Sequence, residues 1–316
     1  MAESVLRRQI ATPKQQNQPQ DRIRRLVWKI AFATLLLMAV GSATRVMNAG
    51  LACPDWPLCY GQLVPTNQMN LQVFLEWFHR LDASLIGLFT LAFVALSWWY
   101  RQELPRWVPW SALFSLFLIL FQGILGGLTV TQLLRFDIVT AHLGTALLFF
   151  STLITIGVML LPYQGTAAVG KLPWYGLSAT LLVYLQSLLG GLVASRWSLH
   201  QCFGNSQLCA IMNSHIVGVV PATLATLTLT VIAWRTPALH SWLRQLAKFA
   251  TGLVIIQILL GIATFKLHLQ VEPLTVTHQA VGATLLGVLV AFTVLAMRDR
   301  AIAPGKSESQ STLPTI

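Results

Sequence analysis

The sequence predicts an all-α integral membrane protein of eight transmembrane helices, arranged as two parallel-repeat four-helix bundles. Three observations carry that prediction: a composition far from the soluble average, eight apolar runs of bilayer length, and a pattern of histidines that repeats between the halves. Of 316 residues, 55% are hydrophobic and only 10% charged, against about 25% charged in soluble domains.

Crossing a bilayer takes roughly 20 apolar residues. Runs at about 27–45, 80–100, 107–130, 139–161, 174–194, 211–234, 246–265 and 275–297 approach that length and leave no sizeable soluble domain. A net charge of +11 raises nucleic acid as a partner, but its distribution argues against that. Sixteen of the 21 Lys and Arg fall before the first run, in alternate loops, or after the last, against Arg45, Arg80, Arg135, Arg196 and Lys266 on the other side. By the positive-inside rule both termini are then cytoplasmic. The reading divides the chain into a disordered tail (1–26), an N-terminal bundle (27–161), a cytoplasmic linker (162–173), a C-terminal bundle (174–297) and a second tail (298–316). The first run is long and has no small-residue cleavage site after it, which argues against a cleavable signal.

The repeat is read from the histidines. His79 to His142 is 63 residues, as is His215 to His278, and the two pairs are offset by 136. Four spans have therefore been duplicated. An even-numbered unit inserts twice in the same orientation, so the copies are parallel. The four histidines then sit at the outer, N-terminal ends of spans two, four, six and eight. Histidine inside a membrane is uncommon and marks functional sites.

Two imidazoles on facing helices, with no carboxylate cluster beside them in the second half, suit axial ligation of haem iron better than zinc, which takes three or four protein ligands. Gln122-x3-Gly126, Gln186-x3-Gly190 and Gln257-x3-Gly261 place Gln and Gly one turn apart on one helix face, for haem contact or for close helix packing. Arg45, Arg80 and Arg196 stand at the outer boundary, where a guanidinium pairs with propionates or snorkels to the interface. Cys53 and Cys59, and Cys202 and Cys209, lie in outer loops. Two short-loop disulfides are expected in that compartment, the rival reading being a thiol-based metal or redox site. His200, His240 and His268 break the repeat and are read as solvated or interfacial.

The halves are not equal, and one difference is informative. Glu76, three residues before His79, is replaced in the second copy by Met212, three before His215. An acid or base survives only in the N-terminal bundle. The expected division of labour puts a permanent haem in the C-terminal bundle and chemistry in the N-terminal one, with Glu76 moving protons or stabilising charge; its structural alternative is a salt bridge to Arg80.

At these residues the sequence resembles the heme A synthase family. The resemblance rests on Thr44-Arg45, Gly50-Leu51-x-Cys53-Pro54-Asp55-Trp56-Pro57-Leu58-Cys59-x-Gly61, Glu76-x-x-His79-Arg80, and His142, His215 and His278. It implies oxidation of the C8 methyl of haem O to a formyl group through a hydroxymethyl intermediate, with oxygen from water. It further implies a substrate haem O on His79 and His142, Glu76 and Cys53 as catalytic residues, and haem b on His215 and His278. Haem O synthase is the implied partner. The electron acceptor is not legible, homo-oligomerisation stays open, and a bacterial-type cell membrane is the expected location. The competing readings are a dihaem b-type cytochrome that only transfers electrons, and a haem transporter or chaperone.

Overall fold

In a computed structural model the described residues, 18–195, 207–267 and 271–302, form eight helices long and apolar enough to cross a membrane. They are α1 (Gln18–Val46), α2 (Leu71–Trp99), α3 (Trp107–Thr131), α4 (Phe136–Met159), α5 (Leu172–Ser195), α6 (Gln207–Arg235), α7 (Ser241–Lys266) and α8 (Glu272–Ile302). A 3-10 turn, Thr66–Gln68, lies in the α1–α2 loop.

Helix packing closes two rings. α1 packs on α2 and α4, and α3 bridges α2 and α4; likewise α5 packs on α6 and α8, and α7 bridges α6 and α8. The rings meet where α8 touches α1 and α4, and where α4 touches α5. Consequently α8 and α4 are the most buried spans, with Phe149, Leu153, Ile156, Leu289 and Phe292 filling the shared core. With lipid as apolar as leucine, close packing through small residues holds membrane helices together. Trp28 packs over Gly157, Phe292 over Gly176, and Phe150 over Gly287. Hydroxyls inside the spans return their hydrogen bonds to their own helix: Thr34 donates to the Ile30 carbonyl and Thr90 to that of Ile86, both at 2.8 Å. This satisfies polar groups that lipid cannot.

Several helices overrun the predicted spans. α1 opens at Gln18, so residues 18–26 of the predicted tail are helical. Asn70 caps α2, its Oδ1 accepting from the Val73 N–H at 2.9 Å, so that helix starts well before residue 80. His79 is therefore two turns inside α2 and not at its end. From Leu71 to His79 and from Gln207 to His215 is eight residues; from Phe136 to His142 and from Glu272 to His278 is six. Counted along the described residues, the duplicated histidines thus stand at matching positions of corresponding helices.

At the opposite end of the molecule, α8 is stapled to the end of α4 and to the segment after it. A helix terminus leaves its last carbonyls unpaired, and α8 supplies donors. Arg298 donates to the Val158 carbonyl at 2.5 Å and the Leu161 carbonyl at 3.0 Å. The fully buried Asp299 accepts from the Tyr163 hydroxyl at 2.5 Å and the Thr166 N–H at 3.1 Å. His240, read as solvated, caps α7 by accepting from the Trp242 N–H at 3.2 Å, and its ring stands edge-on to Tyr163 at 4.7 Å.

Candidate functional site

Each bundle seats its two imidazoles on glycine. A Cβ placed on Gly41 would lie 2.8 Å from Cε1 of His79, one on Gly126 3.4 Å from that of His142, one on Gly190 3.0 Å from that of His215, and one on Gly261 3.1 Å from that of His278. Real Cβ atoms do not fit at the shortest of these, so glycine is what lets the neighbouring backbone approach the rings. In the N-terminal pair the ring centroids are 6.5 Å apart and inclined at 67°. The predicted Gln-x3-Gly stripes turn out to do a particular job. Gln122 Nε2 donates to the carbonyl of His142 at 2.9 Å, Gln186 Nε2 to that of His215 at 2.7 Å, and Gln257 Nε2 lies 3.3 Å from His278 Nε2.

The donor set fits haem. Among the described residues no group of three or more His, Cys, Asp or Glu side chains gathers to hold a metal ion, so each imidazole pair stands without the further ligands zinc requires. Two axial nitrogens are what a porphyrin leaves to the protein. Nδ1 of His79, His142 and His278 is buried without a hydrogen-bond partner, as are Oε1 of Gln122, Gln186 and Gln257. Buried polar atoms ordinarily find partners, and this set surrounds the two pairs.

Beyond the shared seat, the N-terminal bundle carries a second layer. Cys53 and Cys59 are disulfide-bonded, closing a short loop over α2. Glu76, buried among the helix and the loop, accepts from the Cys53 N–H at 2.8 Å through Oε2 and from Arg80 Nη2 at 2.5 Å through Oε1. Arg80 also donates to the carbonyls of Asp55 and Leu58, each at 2.6 Å, and of Cys53 at 3.3 Å. The guanidinium expected to face a propionate is thus spent on the loop, and the salt bridge that was the structural alternative for Glu76 is formed. The guanidinium of half-buried Arg45, by contrast, makes no hydrogen bond or ion pair among the described residues.

The loop is shaped by two residues not singled out by composition. Asp55 accepts from the N–H groups of Tyr60 (2.6 Å) and Gly61 (2.7 Å). The Gly61 N–H above all, then that of Tyr60 and the charge of Arg80, holds its carboxyl below the usual value against a smaller cost of desolvation. Trp56 lies on Gly127, where a Cβ would come within 3.2 Å of the indole, beside the glycine that seats His142. A Gly-Gly pair in α3 was the available signal for that contact.

In the second bundle, Cys209 is also disulfide-bonded; its expected partner Cys202 lies outside the described residues, as do Arg196, His200 and His268. Met212 stands half-buried one turn before His215, where the first bundle has Glu76.

This arrangement agrees with comparison to known proteins. The chain is 29% identical to a Heme A synthase of Shewanella oneidensis, covering 81% of this chain and 91% of that one. It is 28% identical to a Heme A synthase of Caulobacter vibrioides, covering 86% and 96% respectively. The profile of the COX15-CtaA family, described as cytochrome oxidase assembly protein, matches residues 24–290. Paired imidazoles, the buried Glu-x-x-His turn and this match over most of the length lead to one conclusion: the chain belongs to the COX15-CtaA family of cytochrome oxidase assembly proteins.

Proposed function

We propose that the protein is a heme A synthase, a membrane oxidoreductase that oxidises the C8 methyl group of haem O to a formyl group. One observation carries the assignment of roles: both bundles have the histidine seat, but among the described residues only the N-terminal one adds a buried carboxylate tied to a disulfide-closed loop. His79 and His142 would hold haem O as substrate, and His215 and His278 would hold haem b. When bound, haem b supplies a one-electron redox centre beside the reacting bundle.

Turning a methyl into a formyl with oxygen from one water releases four electrons and four protons. The site therefore needs a proton acceptor and a fixed water. A carboxylate offers about four lone-pair positions, and Glu76 commits one oxygen to Cys53 N–H and the other to Arg80. Its remaining capacity is available to orient a water and take its proton, while Arg80 and the loop fix the carboxylate in place. The guanidinium of Arg45, half-buried near the outer end of α1 and without a partner among the described residues, suits a propionate. The bias of Lys and Arg toward the linker end supports cytoplasmic termini, and the bacterial relatives support a bacterial-type cell membrane. Haem O synthase, which makes the substrate, is the partner this activity calls for.

The test is to purify the chain from cells co-expressing haem O synthase, extract its haems and identify them by chromatography and mass. Haem A and haem O alongside haem b are expected. Haem b alone would replace the synthase reading with that of an electron-transferring dihaem cytochrome.

A further inference from the structure

The C-terminal bundle carries a second unusual feature, at the end away from its histidines. A cavity of about 250 Å³ lies between α6 and α7, with Thr230, Trp234, Arg244, Lys248 and Thr251 in its lining. Hydroxyls tie the two helices there: Thr251 donates to Thr230 Oγ1 at 2.8 Å, and Thr230 to the Ala247 carbonyl at 3.0 Å. The two cations have no counter-charge. Arg244 commits Nη2 to the Thr236 carbonyl at 3.0 Å, while its Nε is buried without a hydrogen-bond partner. Lys248 is exposed, and the ion pairs among the described residues involve neither cation. A buried donor on a charged group is costly to leave unpaired.

The corresponding place in the first bundle is apolar. Gln122 to Gln257 is 135 residues, and that offset pairs the buried Leu104, Val108 and Ala112 with the buried Leu239, Leu243 and Ala247. In this register Pro109 answers to Arg244, Leu113 to Lys248 and Leu116 to Thr251; by the 136-residue offset of α2 and α6, Val94 answers to Thr230 and Trp98 to Trp234. The tryptophan is shared, whereas the cations and hydroxyls belong to the second copy. Helix packing alone does not call for them.

We propose that this cavity binds an anionic phospholipid, with its phosphate on Arg244 and Lys248 and its acyl chains along α6 and α7. The site is independent of the haem reading. Exposed Val231 flanks Trp234, and exposed Ile255 and Leu259 continue the Lys248–Thr251 face of α7, so a ligand arrives from the bilayer and keeps an apolar tail there. The volume is below the roughly 300 Å³ at which pockets for drug-sized ligands begin, which suits a headgroup and not a porphyrin. Guanidinium groups pair with phosphate through charge-assisted N–H bonds, Trp settles at headgroup level, and basic pockets between spans take anionic headgroups.

Native mass spectrometry tests this on the full-length protein, delipidated in detergent and then offered phosphatidylglycerol or phosphatidylcholine. One phosphatidylglycerol per chain should be retained about ten-fold better than phosphatidylcholine, whose quaternary ammonium offsets the phosphate charge. Arg244→Gln combined with Lys248→Gln should remove that preference. Thr251→Leu, which fills the cavity with the residue of the first bundle, should weaken retention on the order of ten-fold. Arg101→Gln combined with Arg106→Gln, in the α2–α3 turn, should leave it unchanged. Equal retention of the two lipids overturns the proposal, as does an equal loss in the Arg101 and Arg106 variant, since any charge near that surface would then suffice. Displacement of the lipid by inorganic phosphate or by a water-soluble quinone analogue at matching affinity also overturns it. Should the Arg244 variant not fold, undiminished retention in both Lys248→Gln and Thr251→Leu proteins does so.

Discussion

The two bundles are built on one plan, and among the described residues a loop and one turn of α2 set the first apart from the second. Both place imidazoles eight and six residues into corresponding helices and seat them on glycine. The N-terminal bundle then adds Glu76, Arg80, the Cys53–Cys59 loop and Trp56; the C-terminal bundle has Met212 and a Gln brace on both histidines. Duplication kept the paired imidazoles and their glycine seats. Specialisation was written into the part that would touch the reacting group.

The largest expected effect tests whether Glu76 is that specialisation. Glu76→Gln preserves shape and can still accept from Cys53 N–H, but it removes the carboxylate as a proton acceptor. Haem A formation, measured by chromatography of extracted haems, should fall about 100-fold or more, while the haem b spectrum stays as in wild type. Normal haem A output would erase the functional difference between the bundles.

Next in size is the independence of the two seats. Gly190→Val or Gly261→Val puts a branched side chain where even a Cβ would lie 3.0 or 3.1 Å from an imidazole carbon. Roughly one haem per chain should be lost, from the C-terminal bundle only, whereas Gly41→Val should empty the N-terminal one. Pyridine haemochrome assays with haem extraction distinguish the two. Loss of both haems from either variant would mean the bundles do not act separately.

A smaller effect is expected for Arg80→Lys, which keeps the charge but not the fork that reaches three carbonyls and Glu76 at once. Carbonyls left unpaired cost on the order of 1–3 kcal/mol each when buried. Amide exchange in residues 53–59 should speed up by about ten-fold or more, with the second bundle unaffected. Unchanged protection would show that the disulfide alone shapes the loop.

The smallest is a pH effect on the same loop. The folded Asp55 carboxyl is depressed by Gly61 and Tyr60 N–H groups, so its contribution to the loop is complete above the ordinary aspartate range and is lost as pH falls through the depressed value. Trp56 emission should change in that acidic window, and Asp55→Asn should abolish the change. A transition persisting in Asp55→Asn would assign it elsewhere.

Much of this was legible in the chain. Eight apolar runs and a 136-residue offset announce eight spans and a duplication, because bilayer thickness and histidine rarity both leave strong marks. Helix ends were less visible: residues 18–26 are polar yet helical, and the Asn70 cap starts α2 within a stretch whose hydropathy is mixed. At the site, Glu76 and the four histidines were readable as residue types, but their partners were not. Arg80 and the glutamines bond to backbone carbonyls, which every residue carries, so no pattern of side chains could foretell those bonds. The Trp56–Gly127 contact joins segments far apart in sequence and depends on how α3 meets the loop.

The matching positions of the histidines have an electrical meaning. With both pairs at matching positions of corresponding helices, an electron passing between the proposed haem sites would travel along the plane of the membrane and not through its thickness. Crossing the membrane would couple each elementary charge to about 2.3 kcal/mol per 100 mV. Lateral passage does no such work, so exchange between the two proposed haem sites would run at the same rate in an energised cell as in a depolarised one.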